Sequence, residues 1–135
     1  MAEASKGPRA RPMSPHLTVW RWHITMAGSI LHRVTGVGLY LGALIAAWWA
    51  LSLASGPDAY AAFKACMASP LGVLVMFGMT VSFFYHLAAG VRHTIWDLGH
   101  GLTIKTANAI TVATFAFAVA ATAAVWAIAA MTGAL

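Results

Sequence analysis

Three long stretches of this chain are almost free of charge, and that feature constrains the fold more than any other. Residues 34–55 carry no Asp, Glu, Lys or Arg across 22 positions. At about 1.5 Å per residue, a helix of that length reaches roughly 33 Å, enough to cross a hydrocarbon core of about 30 Å. A second stretch runs from residue 70 to about 96, where His86 is the one imidazole or charged group before Arg92. A third runs from about 105 to 131, uncharged after Lys105. The pattern predicts an all-α integral membrane protein with three transmembrane helices, near 28–55, 70–96 and 105–131.

Composition argues the same way. The 135 residues are 61% hydrophobic and 8% charged, whereas a soluble domain carries about 25% charged residues. Too little polar surface exists to cover a water-soluble globule. The formal charge of +5 does not mark a nucleic-acid binder, because the basic residues sit at the ends of apolar stretches, where they determine topology. The single cysteine, Cys66, excludes an internal disulfide and any multi-cysteine metal site. It reads as a small apolar residue near a helix end.

Residues 1–27 form a polar N-terminal and interfacial segment, and residues 28–135 a three-helix anchor domain. Pro8, Pro12 and Pro15 favour extended chain, since each proline disfavours helix in the residue before it. Around residues 16–28, Trp20 and Trp22 flank Arg21, a composition suited to the headgroup layer. No apolar h-region of a secretory signal is present. Glu3 and the lack of a long Arg/Ser-rich stretch count against a transit peptide. The short N-terminus favours a bacterial inner membrane over a mitochondrial one.

Gly56-Pro57-Asp58 is a strong stop for the first span. Residues 57–69 form a short connection with room for a brief helix. Pro70 suits a first helical turn, and Asp97-Leu98-Gly99-His100-Gly101 is a glycine-punctuated loop. The many alanines of the third span suit close helix packing. No internal repeat relates the spans. The N-terminal region and the second loop hold Lys6, Arg9, Arg11, Arg21, Arg33, Arg92 and Lys105, against Lys64 alone on the other side. Positive charge stays inside, so the N-terminus is expected in the cytoplasm and the C-terminus outside. Trp20, Trp22 and Trp96 then form an inner belt, with Trp48, Trp49 and Trp126 toward the outer half.

His86 is the most informative residue. It lies six residues before Arg92, roughly 9 Å inside the hydrocarbon boundary. An ionisable group there is costly and is a functional candidate by default. A neutral imidazole is a natural haem axial ligand, and Gly90 one turn on would let a flat macrocycle approach the backbone. The competing reading is a histidine hydrogen-bonded to a neighbouring helix. His86, Gly90, His93 and Asp97 fall on one helical stripe. His93 and Asp97 read either as a solvated helix end or as a proton route.

A second constellation is Ser29-Ile30-Leu31-His32-Arg33-Val34-Thr35-Gly36. Ser29 and Arg33 share a helix face, with His32 on an adjacent one. A hydroxyl and an arginine at the inner boundary suit a quinone carbonyl, and the arginine would stabilise negative charge developing on reduction. The competing reading is an arginine that snorkels to lipid phosphate.

With these residues in view, the chain resembles the cytochrome b subunit of succinate dehydrogenase, the large membrane anchor of respiratory complex II. The likeness rests on Arg11-Pro12-Met13-Ser14-Pro15-His16-Leu17, on the Ser29–Gly36 segment, and on His86 with Gly90-Val91-Arg92-His93 and Trp96-Asp97-Leu98-Gly99. It covers about residues 11–133, and no key position departs from the pattern. The resemblance implies pairing with a second small anchor subunit, and docking of a flavoprotein and an iron–sulfur protein on the inner face. Electrons from succinate would pass to ubiquinone near that face. It implies His86 as one axial ligand of a b-type haem, with the other from the partner anchor. It also implies Ser29 and Arg33 at the quinone site, and His32 with Arg33 facing the haem propionates. Two other readings are a haem-free structural anchor and a helical subunit of a transporter, which predicts broken mid-membrane helices that the sequence lacks. The chain holds no flavin fingerprint and no cysteine cluster, so succinate oxidation itself is expected on other chains.

Overall fold

A computed structural model describes residues 21–133. In chain order the helices are α1 (Ile24–Ala54), α2 (Pro57–Met67), α3 (Pro70–Asp97) and α4 (Ile104–Met131). Helix α1, α3 and α4 are each long and apolar enough to cross a membrane. They match the three expected spans, except that α1 begins at Ile24, inside the stretch expected along the headgroups. Residues 1–20, with the prolines and Trp20, lie outside the described residues.

Local chemistry sets the helix ends. The His23 side chain caps α1 by accepting from the Thr25 N–H at 3.4 Å. The break after α1 falls at Gly56, whose φ of 107° is open to glycine but strained for other residues. Pro57 follows in the first turn of α2, where its missing N–H costs nothing. Ser69 caps α3, its hydroxyl accepting from the Gly72 N–H at 3.1 Å. At Gly72 a Cβ would collide with the Cys66 and Met67 carbonyl oxygens, so this tight turn requires glycine. Thr103 caps α4 in the same manner.

Helix α2 spans 11 residues, too short to cross a bilayer. It tucks Phe63 against Trp48, ring centroids 4.8 Å apart in an edge-on contact, and sets its Lys64 ammonium over Tyr60.

The three long helices meet through small residues. On α1 the buried positions are Gly28, Thr35, Gly42 and Ser52. The first three recur every seventh residue, the seam of a left-handed crossing. Met79 of α3 fills the space a Cβ at Gly42 would need. On α4 the buried positions are Thr111, Thr114, Ala118 and Thr122, so the packing face is a threonine stripe more than an alanine one. Thr111 and Thr114 return their hydroxyls to the Ala107 and Ile110 carbonyls, which removes the cost of burying them. Outward faces are apolar: Val37, Leu44, Leu74 and Val119 are all exposed. That pattern suits lipid or another apolar chain, because the backbone is already satisfied within each helix.

Candidate functional site

The N-terminal half of α1 and the C-terminal half of α3 bring three imidazoles together. His32 stands between the other two, its ring centroid 4.1 Å from that of His86 and 4.8 Å from that of His93, which it stacks at 23°. His93 in turn meets the edge of Trp96 at 5.4 Å. This row joins the two sequence constellations, which lie more than fifty residues apart in the chain.

The ring of His86 lies against α1 because Gly36 has no side chain; a Cβ there would sit 3.1 Å from His86 Cε1. Its Nδ1 is 3.1 Å from the His32 carbonyl oxygen and 3.3 Å from Thr35 Oγ1. A carbonyl oxygen only accepts, so Nδ1 carries a proton, and in the neutral ring the lone pair then falls on Nε2. One turn on, nothing lies within 4 Å of where a Cβ at Gly90 would stand. The site therefore offers an imidazole with a fixed tautomer beside an open, flat stretch of helix.

The remaining members of the polar stripe behave differently. The His93 Nδ1–H donates to the Ala89 carbonyl at 2.7 Å. Asp97 is exposed, and among the described residues no ion pair joins it to His93. The His32 Nε2 is buried without a hydrogen-bond partner among the described residues, the kind of orphaned polar atom that a bound group can satisfy.

The two residues of the expected quinone pair share one stripe of α1 but differ in their surroundings. Ser29 is half-buried and lines an opening of about 600 Å³ with His23, Thr25, Trp96 and Ala107. Arg33 is exposed and does not line that opening. It stands on the same helix stripe one turn further into the membrane.

Sequence reasoning missed the environment of Arg92. Read as a charge at a helix end, it is 1% exposed. Its Nη1 donates to Thr111 Oγ1 at 3.2 Å, and its guanidinium carbon lies 4.9 Å from the Trp96 ring centroid. Gly28 makes this space, since a Cβ there would come within 2.6 Å of Nη1. Beside it, the Tyr85 hydroxyl donates to the Gly28 carbonyl at 2.7 Å. Arg92 Nε and Nη2, Trp96 Nε1 and Asn108 Oδ1 are all buried without partners.

Chemically, His86 Nε2 is a single neutral nitrogen donor. Among the described residues no group of three or more His, Cys, Asp or Glu side chains could hold a metal ion. A metal that brings most of its own ligands, as the iron of a porphyrin does, asks no more of this chain than the one donor. The fixed tautomer, the open helix surface at Gly90 and the unpartnered His32 Nε2 all fit such a group.

Comparison with known proteins gives a consistent assignment. Residues 7–125 match the model of the succinate dehydrogenase/fumarate reductase transmembrane subunit family. The chain is 37% identical over 108 residues to the succinate dehydrogenase cytochrome b556 subunit of Paracoccus denitrificans, covering 80% of this chain and 82% of that protein. It is 42% identical over 98 residues to the subunit of that name from Rickettsia prowazekii (strain Madrid E), covering 73% and 76% respectively. It is 41% identical over 96 residues to the mitochondrial cytochrome b560 subunit of Sus scrofa, covering 70% of this chain and 57% of that protein. Bacterial and mitochondrial relatives, with three helices able to span a bilayer, fit an inner-membrane protein. The chain belongs to the family of succinate dehydrogenase/fumarate reductase transmembrane subunits.

Proposed function

We propose that this chain is the haem-carrying membrane anchor of a succinate:quinone oxidoreductase. It holds one b-type haem together with a second membrane anchor, and supplies part of the ubiquinone site on the inner side of the membrane. The flavoprotein and iron–sulfur subunits, which oxidise succinate and relay its electrons, dock on that same side.

One observation carries the reading. His86 Nδ1 faces the His32 carbonyl at 3.1 Å, which directs the lone pair of the neutral ring to Nε2, the nitrogen that would bind iron. A histidine kept only for helix packing has no need of a free Nε2 beside an open helix surface. His32, with its buried and unpartnered Nε2, is the donor for a propionate, and the exposed Arg33 is the second. Carboxylates suit a charged donor such as Arg33.

The haem, when bound, supplies one-electron redox chemistry at a site of low dielectric. The chain's own residues do the rest. His86 ligates, and Gly36 and Gly90 leave room for a flat ring. Ser29 donates a neutral hydrogen bond toward a quinone oxygen. Arg33 supplies a charged donor where negative charge develops as the ring is reduced.

The test is spectral. In the purified complex, His86→Leu should remove or alter the b-type α band in a reduced-minus-oxidised spectrum, while the complex still assembles through its other contacts. An unchanged band in His86→Leu would refute the ligand assignment, and absence of any b-type band in the parent complex would refute the haem.

A further inference from the structure

The buried hydroxyl of Thr35 plays no part in the function above, yet it touches its central ligand. Thr35 is 8% exposed and lies in the α1–α3 seam between Gly28 and Gly42. Its Oγ1 lies 2.8 Å from the Leu31 carbonyl oxygen and 3.1 Å from that of His32. Both are acceptors only, so the hydroxyl proton is directed to the backbone of α1. The oxygen's lone pairs are then left to face His86 Nδ1, 3.3 Å away.

We propose that Thr35 is a positioning residue for His86: with the His32 carbonyl it forms a two-acceptor cradle for the Nδ1 proton, fixing the tautomer and raising the electron-donor strength of Nε2. The inference rests on His86 being the haem ligand. Two acceptors polarise the N–H bond more than one does, which gives the ring more imidazolate character. A stronger nitrogen donor favours the more oxidised iron, so Thr35 holds the haem midpoint potential below the value the carbonyl alone would set.

The cradle is specific to a hydroxyl. Valine has nearly the shape of threonine and would fill the same seam, but it offers no acceptor. Serine keeps the oxygen and loses only a methyl group.

The experiment compares Thr35→Val and Thr35→Ser in the purified, assembled complex by redox titration of the b-type band and by electron paramagnetic resonance of the oxidised haem. Thr35→Val should keep its haem, shift the midpoint to a more positive potential and alter the resonance, whereas Thr35→Ser stays close to the parent. Should Thr35→Val lose the haem, Thr35→Ala against Thr35→Ser supplies the same comparison. A Thr35→Val complex with parental midpoint and resonance overturns the proposal. So does a Thr35→Ser complex displaced as far as Thr35→Val, or a shift to more negative potential. A parent without a b-type band sinks the haem reading itself; a haem-bearing parent with indifferent variants sinks only the role of Thr35.

Discussion

Arg33 and Arg92 are the two arginines within the spanning helices, and their surroundings assign them opposite duties. Arg33 is exposed and can reach a ligand or headgroup beside the chain. Arg92 is enclosed by Gly28, Thr111 and Trp96 and ties α1, α3 and α4 together at their inner ends. Substitution should separate them. Arg33→Leu and Ser29→Ala should impair quinone reduction far more than electron transfer from succinate to a soluble dye, since the dye takes electrons upstream. Loss of a charge-assisted hydrogen bond costs about 1.5–3 kcal/mol and of a neutral one about 0.5–1.5 kcal/mol. The larger defect is expected for Arg33→Leu, about tenfold to hundredfold if the loss falls on the transition state. Parental quinone rates in both variants would return Arg33 to lipid. Arg92→Lys should instead lower the thermal stability of the complex. Lysine keeps the charge but not the planar face that lies over Trp96, nor the reach to Thr111, a loss of about 1–2 kcal/mol. A complex that melts at the parental temperature would exclude this bracing role.

The seam of α1 shows what periodicity reveals about an element and what it leaves out. Gly28, Thr35 and Gly42 align every seventh residue, and Met79 occupies the hollow at Gly42. Gly42→Leu should therefore push α1 from α3 and destabilise the complex by about 1–3 kcal/mol, the usual cost of overpacking. Gly78→Ala, where a Cβ meets nothing within 4 Å, should leave stability unchanged or raise it, since alanine favours helix. Equal melting temperatures for Gly42→Leu and the parent would show that the seam can yield. The spans were legible in the sequence because a bilayer imposes length and apolarity on each helix by itself. The end of α1 and the starts of α2 and α3 were legible because Gly56, Pro57 and Pro70 act locally, whereas the start of α1 at Ile24 was not. The meeting of His32 with His86, and the burial of Arg92, depend on the register of one helix against another. No single-helix pattern carries that register. Arg92 in particular reads in the sequence as a charge at a helix end, and only Gly28 and Thr111, contributed by other helices, reveal the space that encloses it.

At the scale of the whole molecule, chemistry is concentrated at one end of the bundle. The three imidazoles, Arg92, Ser29 and the opening beside Trp96 all belong to the halves of α1, α3 and α4 that carry the α3–α4 loop. The opposite end holds α2, with Lys64 as its one basic residue and Asp58 as its acid. Under the proposed function this asymmetry has a reason: quinone reduction consumes protons and needs electrons from a water-soluble donor, so the polar end should face the compartment where that donor docks. The distribution of basic residues gives the direction independently: seven of the eight Lys and Arg lie on the side of the N-terminus and the α3–α4 loop. Positive charge is retained in the cytoplasm, which predicts that the imidazole row lies toward the inner face and the C-terminus outside. Reporter fusions after residues 103 and 135 should then read inside and outside respectively. Reversal of both reporters would put the polar end on the wrong side for a cytoplasmic electron donor, and the proposed quinone site would fall with the topology. Retention of the topology with Lys64→Glu, and its weakening when Arg9, Arg11 and Arg21 are replaced together by Gln, would show that charge, and not the order of the spans, sets the orientation.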